Sequence, residues 1–102
     1  MGTVKIMGLP EELYHYTRLK ITKDNILDTG LTPQKPDEWK GIIPAKYRAK
    51  RVVWLKENYK KGDIIIHTGR LDRRKLYKLN LKHRRTRWWI YIGKISKKAV
   101  SV

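Results

Sequence analysis

The chain is 102 residues long, has no cysteine, and carries 25 Lys/Arg against 9 Asp/Glu, a formal net charge of +16. That length supports one domain with a modest core, and the absence of cysteine excludes disulfides, thiolate metal sites and a cysteine nucleophile. No apolar run approaches the roughly 18 residues that span a bilayer, and MGTVKIMGLPEE lacks the basic start and apolar stretch of a signal peptide. A soluble, intracellular protein is expected, with membership of a particle left open.

Taken in chain order, the pattern is mostly strands. TVKIM (3–7) alternates, with Val4 and Ile6 on one face. LYHYTRL (13–19) reads as a strand, or as a helix begun by Pro10, Glu11 and Glu12. TKDNILDTG (22–30) reads as a short helix capped by Thr22 and ended by Gly30. Residues 32–44, with three prolines and a glycine, read as an ordered loop, and 45–51 as one or two helical turns. VVWLK (52–56) and DIIIHT (63–68) are strands joined by a turn at NYKKG. KLYKLNL (75–81) alternates with Tyr77, Leu79 and Leu81 inward, and RWWIYIGKI (87–95) is the last strand, followed by a loose tail.

The charge is uneven. Residues 1–51 carry a net of +4 and residues 52–102 a net of +12, with no acidic residue after Asp72. Such an excess usually has an anionic partner, because like charges packed together destabilise the fold. The ordinary alternative is compositional: Lys- and Ile-rich, cysteine-free chains suit a hot habitat. Hyperthermophile surfaces usually balance Lys with Glu, however, and this chain has four Glu.

A shift of 39 residues lays 13–30 over 52–69. Asp24, Ile26, Thr29 and Gly30 then meet identical Asp63, Ile65, Thr68 and Gly69, sharing D-x-I-[LI]-x-T-G. A duplication of 13–50 as 52–89 would leave a groove where two halves meet. Otherwise T-G simply ends two unrelated elements, since glycine supplies the left-handed turn.

LYHYT, NILDTGLTP, VVWLKE and WWIYIGKI together resemble a diffuse bacterial family that is similar in turn to the ADP-ribosyltransferase-like fold. The resemblance implies that His15 and Thr17 are a ribose-binding pair. The chain departs from that pattern in being short, in having Lys56 where a threonine follows V-V-W-L, and in offering no placeable catalytic glutamate. The ordinary reading of His15 is a strand residue packed beside Tyr14 and Tyr16. In kind rather than motif, the length and composition resemble small proteins of filamentous viruses that infect hyperthermophilic archaea such as Acidianus. That implies a viral protein that meets other macromolecules.

No phosphate-binding glycine loop is present, three scattered histidines do not suggest a metal, and no serine outside the tail stands ready as a nucleophile. The remaining site is basic and aromatic. Arg70, Arg73, Arg74 and Lys75 precede one strand, and Lys82, Arg84, Arg85 and Arg87 precede another. Trp89, Tyr91 and Trp54 would supply stacking surfaces if one face of the last strand is open. If both faces are covered, that strand is central and buried.

The expected protein is an α+β domain: a small, mostly antiparallel sheet of about five strands, one or two short helices, and room for two pseudo-equivalent halves. It is expected to be a binding module rather than an enzyme, without cofactor, metal or membrane. Nucleic acid leads as the partner, and an acidic or extended protein segment held in a groove or at a sheet edge is the alternative.

Overall fold

The computed structural model describes residues 9–17, 19–34, 50–79 and 87–102. The strand at 3–7, most of the proline loop and the helical turns at 45–49 lie outside these.

The described residues form six strands and one helix: β1 (Glu12–His15), α1 (Lys20–Thr29), β2 (Val53–Lys56), β3 (Ile64–His67), β4 (Leu76–Lys78), β5 (Trp88–Tyr91) and β6 (Val100–Ser101). All pairings are antiparallel, in the order β4-β5-β2-β1-β3-β6. The α+β expectation holds, with one strand more than expected. The extra strand comes from the tail, which is not loose. Ser96 accepts a hydrogen bond from Lys98 N and caps a 3-10 turn at Lys97–Ala99, and Val100 then pairs with Ile66.

Period-two burial sets the faces. Leu13, Val53, Leu55, Ile64, Ile66, Leu76, Trp89 and Tyr91 turn to the main core, joined by Ile26 of α1, Leu31, Ile95 and Ala99. The opposite face holds a smaller cluster of Val52, Leu79 and Ile90, with Trp54, Tyr77 and Trp88 packed against it. β5 is therefore apolar on both faces because both are covered. In β4 the facing is split: Leu76 enters the main core, while Tyr77 and Leu79 belong to the other cluster.

Two expected features differ. The helix begins at Lys20, two residues before Thr22, and its N-cap is Leu19, which makes no side-chain cap bond. At its other end Gly30 caps as expected, its N–H donating to Ile26 O at 2.7 Å. Second, VVWLK and DIIIHT are not neighbours. Tyr14 of β1 faces Lys56 of β2 on one side and Ile65 of β3 on the other. The connection 57–63 crosses β1, with the Tyr59 ring 5.2 Å from that of Tyr14.

This arrangement bears on the repeat. Asp24, Ile26 and Thr29 lie in a helix, whereas Ile65 lies in a strand and Thr68 and Gly69 in a 3-10 turn. Asp24 is exposed and Asp63 is buried. The shared D-x-I-[LI]-x-T-G thus rests on two different backbones, and β1 of the first unit is inserted between β2 and β3 of the second.

Residues 68–75 carry the chain from β3 to β4 across the core. Leu71 packs against that core, and Asp72 N donates to Tyr91 Oη at 3.1 Å. Residues 92–99 return from β5 to β6, and Ile95 exchanges backbone hydrogen bonds with Leu31.

Candidate functional site

The 68–75 crossing sets out the basic residues. It contains two 3-10 turns, Thr68–Arg70 and Arg73–Lys75. Thr68 Oγ1 donates to Pro10 O at 2.6 Å and so anchors the first turn to the chain entering β1. Asp72 caps the second, accepting from Arg74 N at 3.0 Å and from Arg74 Nε at 3.2 Å. Those bonds hold the Asp72 carboxyl below its usual range. The side chains of Arg70, Arg73, Arg74 and Lys75 all face solvent.

The fold adds cations that the sequence reading missed. Lys75 O accepts from Ile92 N at 2.8 Å, and a Cβ built on Gly93 would lie 3.6 Å from Lys75 Cδ, so the lysine stem lies over the glycine. Exposed Lys94 follows directly. At the other end, the turn bearing Lys97 and Lys98 packs against the turn bearing Arg70. Only the Lys75–Ile92 hydrogen bond and the packing of the two 3-10 turns make these neighbours; no local spacing signals it.

Arg87 does not join this cluster. It precedes β5, and its carbonyl accepts from Glu57 N at 3.1 Å, whereas Arg73–Lys75 lies past the far end of that strand. Four to five residues of strand separate them, about 15 Å. Lys82, Arg84 and Arg85 lie outside the described residues.

The aromatic expectation is corrected. Trp89 and Tyr91 are 7% and 5% exposed, so neither offers a face for stacking. The β2–β5 register is the reason: Leu55 faces Trp89 and Val53 faces Tyr91, which turns both rings into the core. Their polar atoms are used internally. Trp89 Nε1 donates to Glu57 Oε2 at 2.8 Å, and Tyr91 Oη accepts from Asp72 N. Trp54 is half-buried on the other face, edge-on to Trp88 at 5.8 Å.

His15 and Thr17 are not brought into one site. His15 lines a cavity of about 320 Å³ together with Thr22, Asn25, Thr29, Gln34 and Trp54. Its Nδ1 lies 2.9 Å from Trp54 O, and since a carbonyl only accepts, Nδ1 carries the hydrogen. Thr17 is not among the lining residues, and its buried hydroxyl has no partner among the described residues. No carboxylate lines the cavity among the described residues.

Burial is the main cause of the lowered His15 pKa, with Lys56 adding to it against the opposing Trp54 hydrogen bond and Asp63 charge. The unfolded chain therefore takes up this proton more readily than the folded one. Stability from neutral His15 is complete above its ordinary value of 6.5 and is lost as pH falls below it. Urea titrations between pH 7.5 and 5 should show this decline, and His15→Asn, which keeps a donor for Trp54 O, should flatten it. An undiminished decline in the variant would assign it elsewhere.

One further pair comes from the ordered tail. His67 Nε2 lies 2.8 Å from Ser101 Oγ, so a serine does meet a histidine here. Neither residue lines the His15 cavity or the shallow basin between Asp28, Thr29, Lys94, Ser96 and Lys97. Among the described residues, no group of His, Asp and Glu is placed to hold a metal ion, and no helix is long and apolar enough to cross a membrane.

Comparison with protein families, with curated proteins and with solved structures finds no match for this chain. What it can do is read from its own charge and geometry.

Proposed function

We propose that this chain is a non-enzymatic binding module for nucleic acid. The observation that carries the reading is the 68–75 crossing. It presents Arg70, Arg73, Arg74 and Lys75 to solvent, with Lys94, Lys97 and Lys98 beside its two ends, and its one carboxylate, Asp72, is held by Arg74. The crossing is pinned at Thr68, Leu71, Asp72 and Lys75 by core contacts and hydrogen bonds, so the cations stand on a fixed backbone. A preordered set of cations loses less entropy on meeting a phosphate chain than a flexible tail does.

Each phosphate neutralised by such a residue releases condensed counterions, which makes binding steeply salt-dependent. The alternative of a peptide held between two halves has less support, because β1 interlocks those halves in one sheet.

The test is a salt titration of DNA and RNA binding with the fourfold variant Arg70→Ser, Arg73→Ser, Arg74→Ser, Lys75→Ser. If three or four of these residues meet phosphates of a duplex, the slope of log K against log salt should flatten by about 3. Low-salt affinity should fall at least about tenfold, while the unfolding midpoint stays near that of the parent. Unchanged affinity and slope would refute the reading.

A further inference from the structure

The buried positions of Trp89 and Tyr91 leave the question of where a base could stack. Among the described residues, the large apolar side chains that stay exposed include two tyrosines, Tyr16 at 59% and Tyr59 at 53%. Tyr16 follows β1 directly, two residues after Tyr14. Tyr59 stands edge-on to Tyr14 at 5.2 Å, and Lys56 Nζ lies 5.8 Å from the Tyr16 ring centre.

The loop that positions Tyr59 is a built feature. Asp63 N donates to Lys60 O at 2.9 Å and closes a four-residue turn, with Gly62 at φ 96° in the third place. Positive φ at that position is what a type II turn requires. The Asp63 carboxylate accepts from Lys60 N at 2.8 Å and pairs with Lys56 Nζ at 2.7 Å. Lys60 and Lys61 are left exposed at the tip.

The nearby carboxylates are engaged. Asp63 is bound as described, Glu57 accepts from Trp89, and Glu12 accepts from the Tyr14 hydroxyl at 3.2 Å. The exposed Tyr59 ring is thus carried by the same loop as exposed Lys60 and Lys61, which have no ion pair among the described residues, and exposed Tyr16 stands beside Lys56. That combination fits a polyanion with π-faces: the rings take bases and the ammonium groups take phosphates. A duplex keeps its bases stacked on one another, so the partner this surface fits is single-stranded.

The surface lies on the opposite side of the sheet from the basic crossing: Tyr14 is in register with Lys56, which alternates with core-facing Leu55, whereas Leu71 of the crossing packs against the main core.

We propose that Tyr14, Tyr16 and Tyr59, with Lys60 and Lys61, form a stacking platform for single-stranded nucleic acid. This rests on the nucleic-acid reading and gives it a strand preference.

The test measures anisotropy of a labelled oligothymidylate and of a duplex of equal length. It uses the parent chain, Tyr16→Ala/Tyr59→Ala, Tyr16→Phe/Tyr59→Phe, and the fourfold basic variant. The double alanine variant should bind the single strand about tenfold or more weakly, since each stacked base is worth a several-fold factor. Its duplex binding should be unchanged, and the phenylalanine variant, which keeps both rings, should bind like the parent.

Parental single-strand affinity in the alanine variant, with the basic variant impaired, would overturn the platform and leave nucleic-acid binding standing. Equal losses in the alanine and phenylalanine variants would also overturn it, because stacking does not need the hydroxyl. If the parent binds neither probe in low salt, the nucleic-acid reading and the platform fall together.

Discussion

Gly30→Ala should destabilise the fold by about 3 kcal/mol or more. Two effects add. Gly30 adopts φ 87° and ψ −172°, a backbone region essentially confined to glycine. An added Cβ would also meet backbone: it would overlap the Ile95 carbonyl oxygen and lie 3.0 Å from Lys97 N. Those atoms cannot move away freely, since Ile95 is hydrogen-bonded to Leu31 and lies in the main core. The glycine ends α1 and admits the return segment that leads to β6. In urea the midpoint should fall by about 1–2 M with an unchanged slope. Gly62→Ala separates the two effects. Gly62 also has positive φ, at 96°, but an added Cβ would meet nothing within 4 Å. Its loss should be the smaller, about 1 kcal/mol. Equal stability of Gly30→Ala and the parent would show that the Gly30–Ile95 approach is not as described.

Asp63→Asn should cost about 3 kcal/mol. The Lys56–Asp63 pair is nearly sealed, with side-chain exposures of 12% and 2%. The asparagine keeps an acceptor for Lys60 N but leaves the Lys56 ammonium without its counter-charge in a desolvated place. Exposed pairs are worth far less, which makes the size of the loss diagnostic. Adding Lys56→Met to Asp63→Asn should recover much of the stability, because removing the stranded charge removes the penalty. The same variants probe the loop that carries Tyr59. A loss below about 1 kcal/mol for Asp63→Asn would mean that Lys56 reaches water once its partner is gone.

Local signals were read well where one residue's neighbours in sequence set its state. Alternation placed β2 and β3 within a residue and the starts of β4 and β5 within a residue, but β5 ends at Tyr91 and not at Ile95; Gly30 marked the helix end because left-handed backbone calls for glycine. They misled where the cause was distant. Thr22 is a good capping residue, yet the helix starts earlier. The D-x-I-[LI]-x-T-G pattern is a helix at its first occurrence and a strand running into a 3-10 turn at its second, since an isolated stretch of that composition suits either until packing decides. SKKAVSV reads as loose because it is short and opens on Ser96, Lys97 and Lys98; it is ordered by the Ser96 cap and by pairing with β3.

By itself the sequence determined that the chain is basic, strand-rich and without thiol chemistry, and that its cations crowd the second half. These follow from composition and from period-two patterning, which need no partner in space. Only the tertiary structure decided which face of β5 is core, because WWIY is apolar on both sides and the register with Val53 and Leu55 turns Trp89 and Tyr91 inward. It also decided that β1 lies between β2 and β3, that Lys94, Lys97 and Lys98 join the Arg70–Lys75 crossing, and that Tyr59 meets Tyr14. Each of these depends on strand order, which is set by how the whole chain buries its apolar area and not by any one segment.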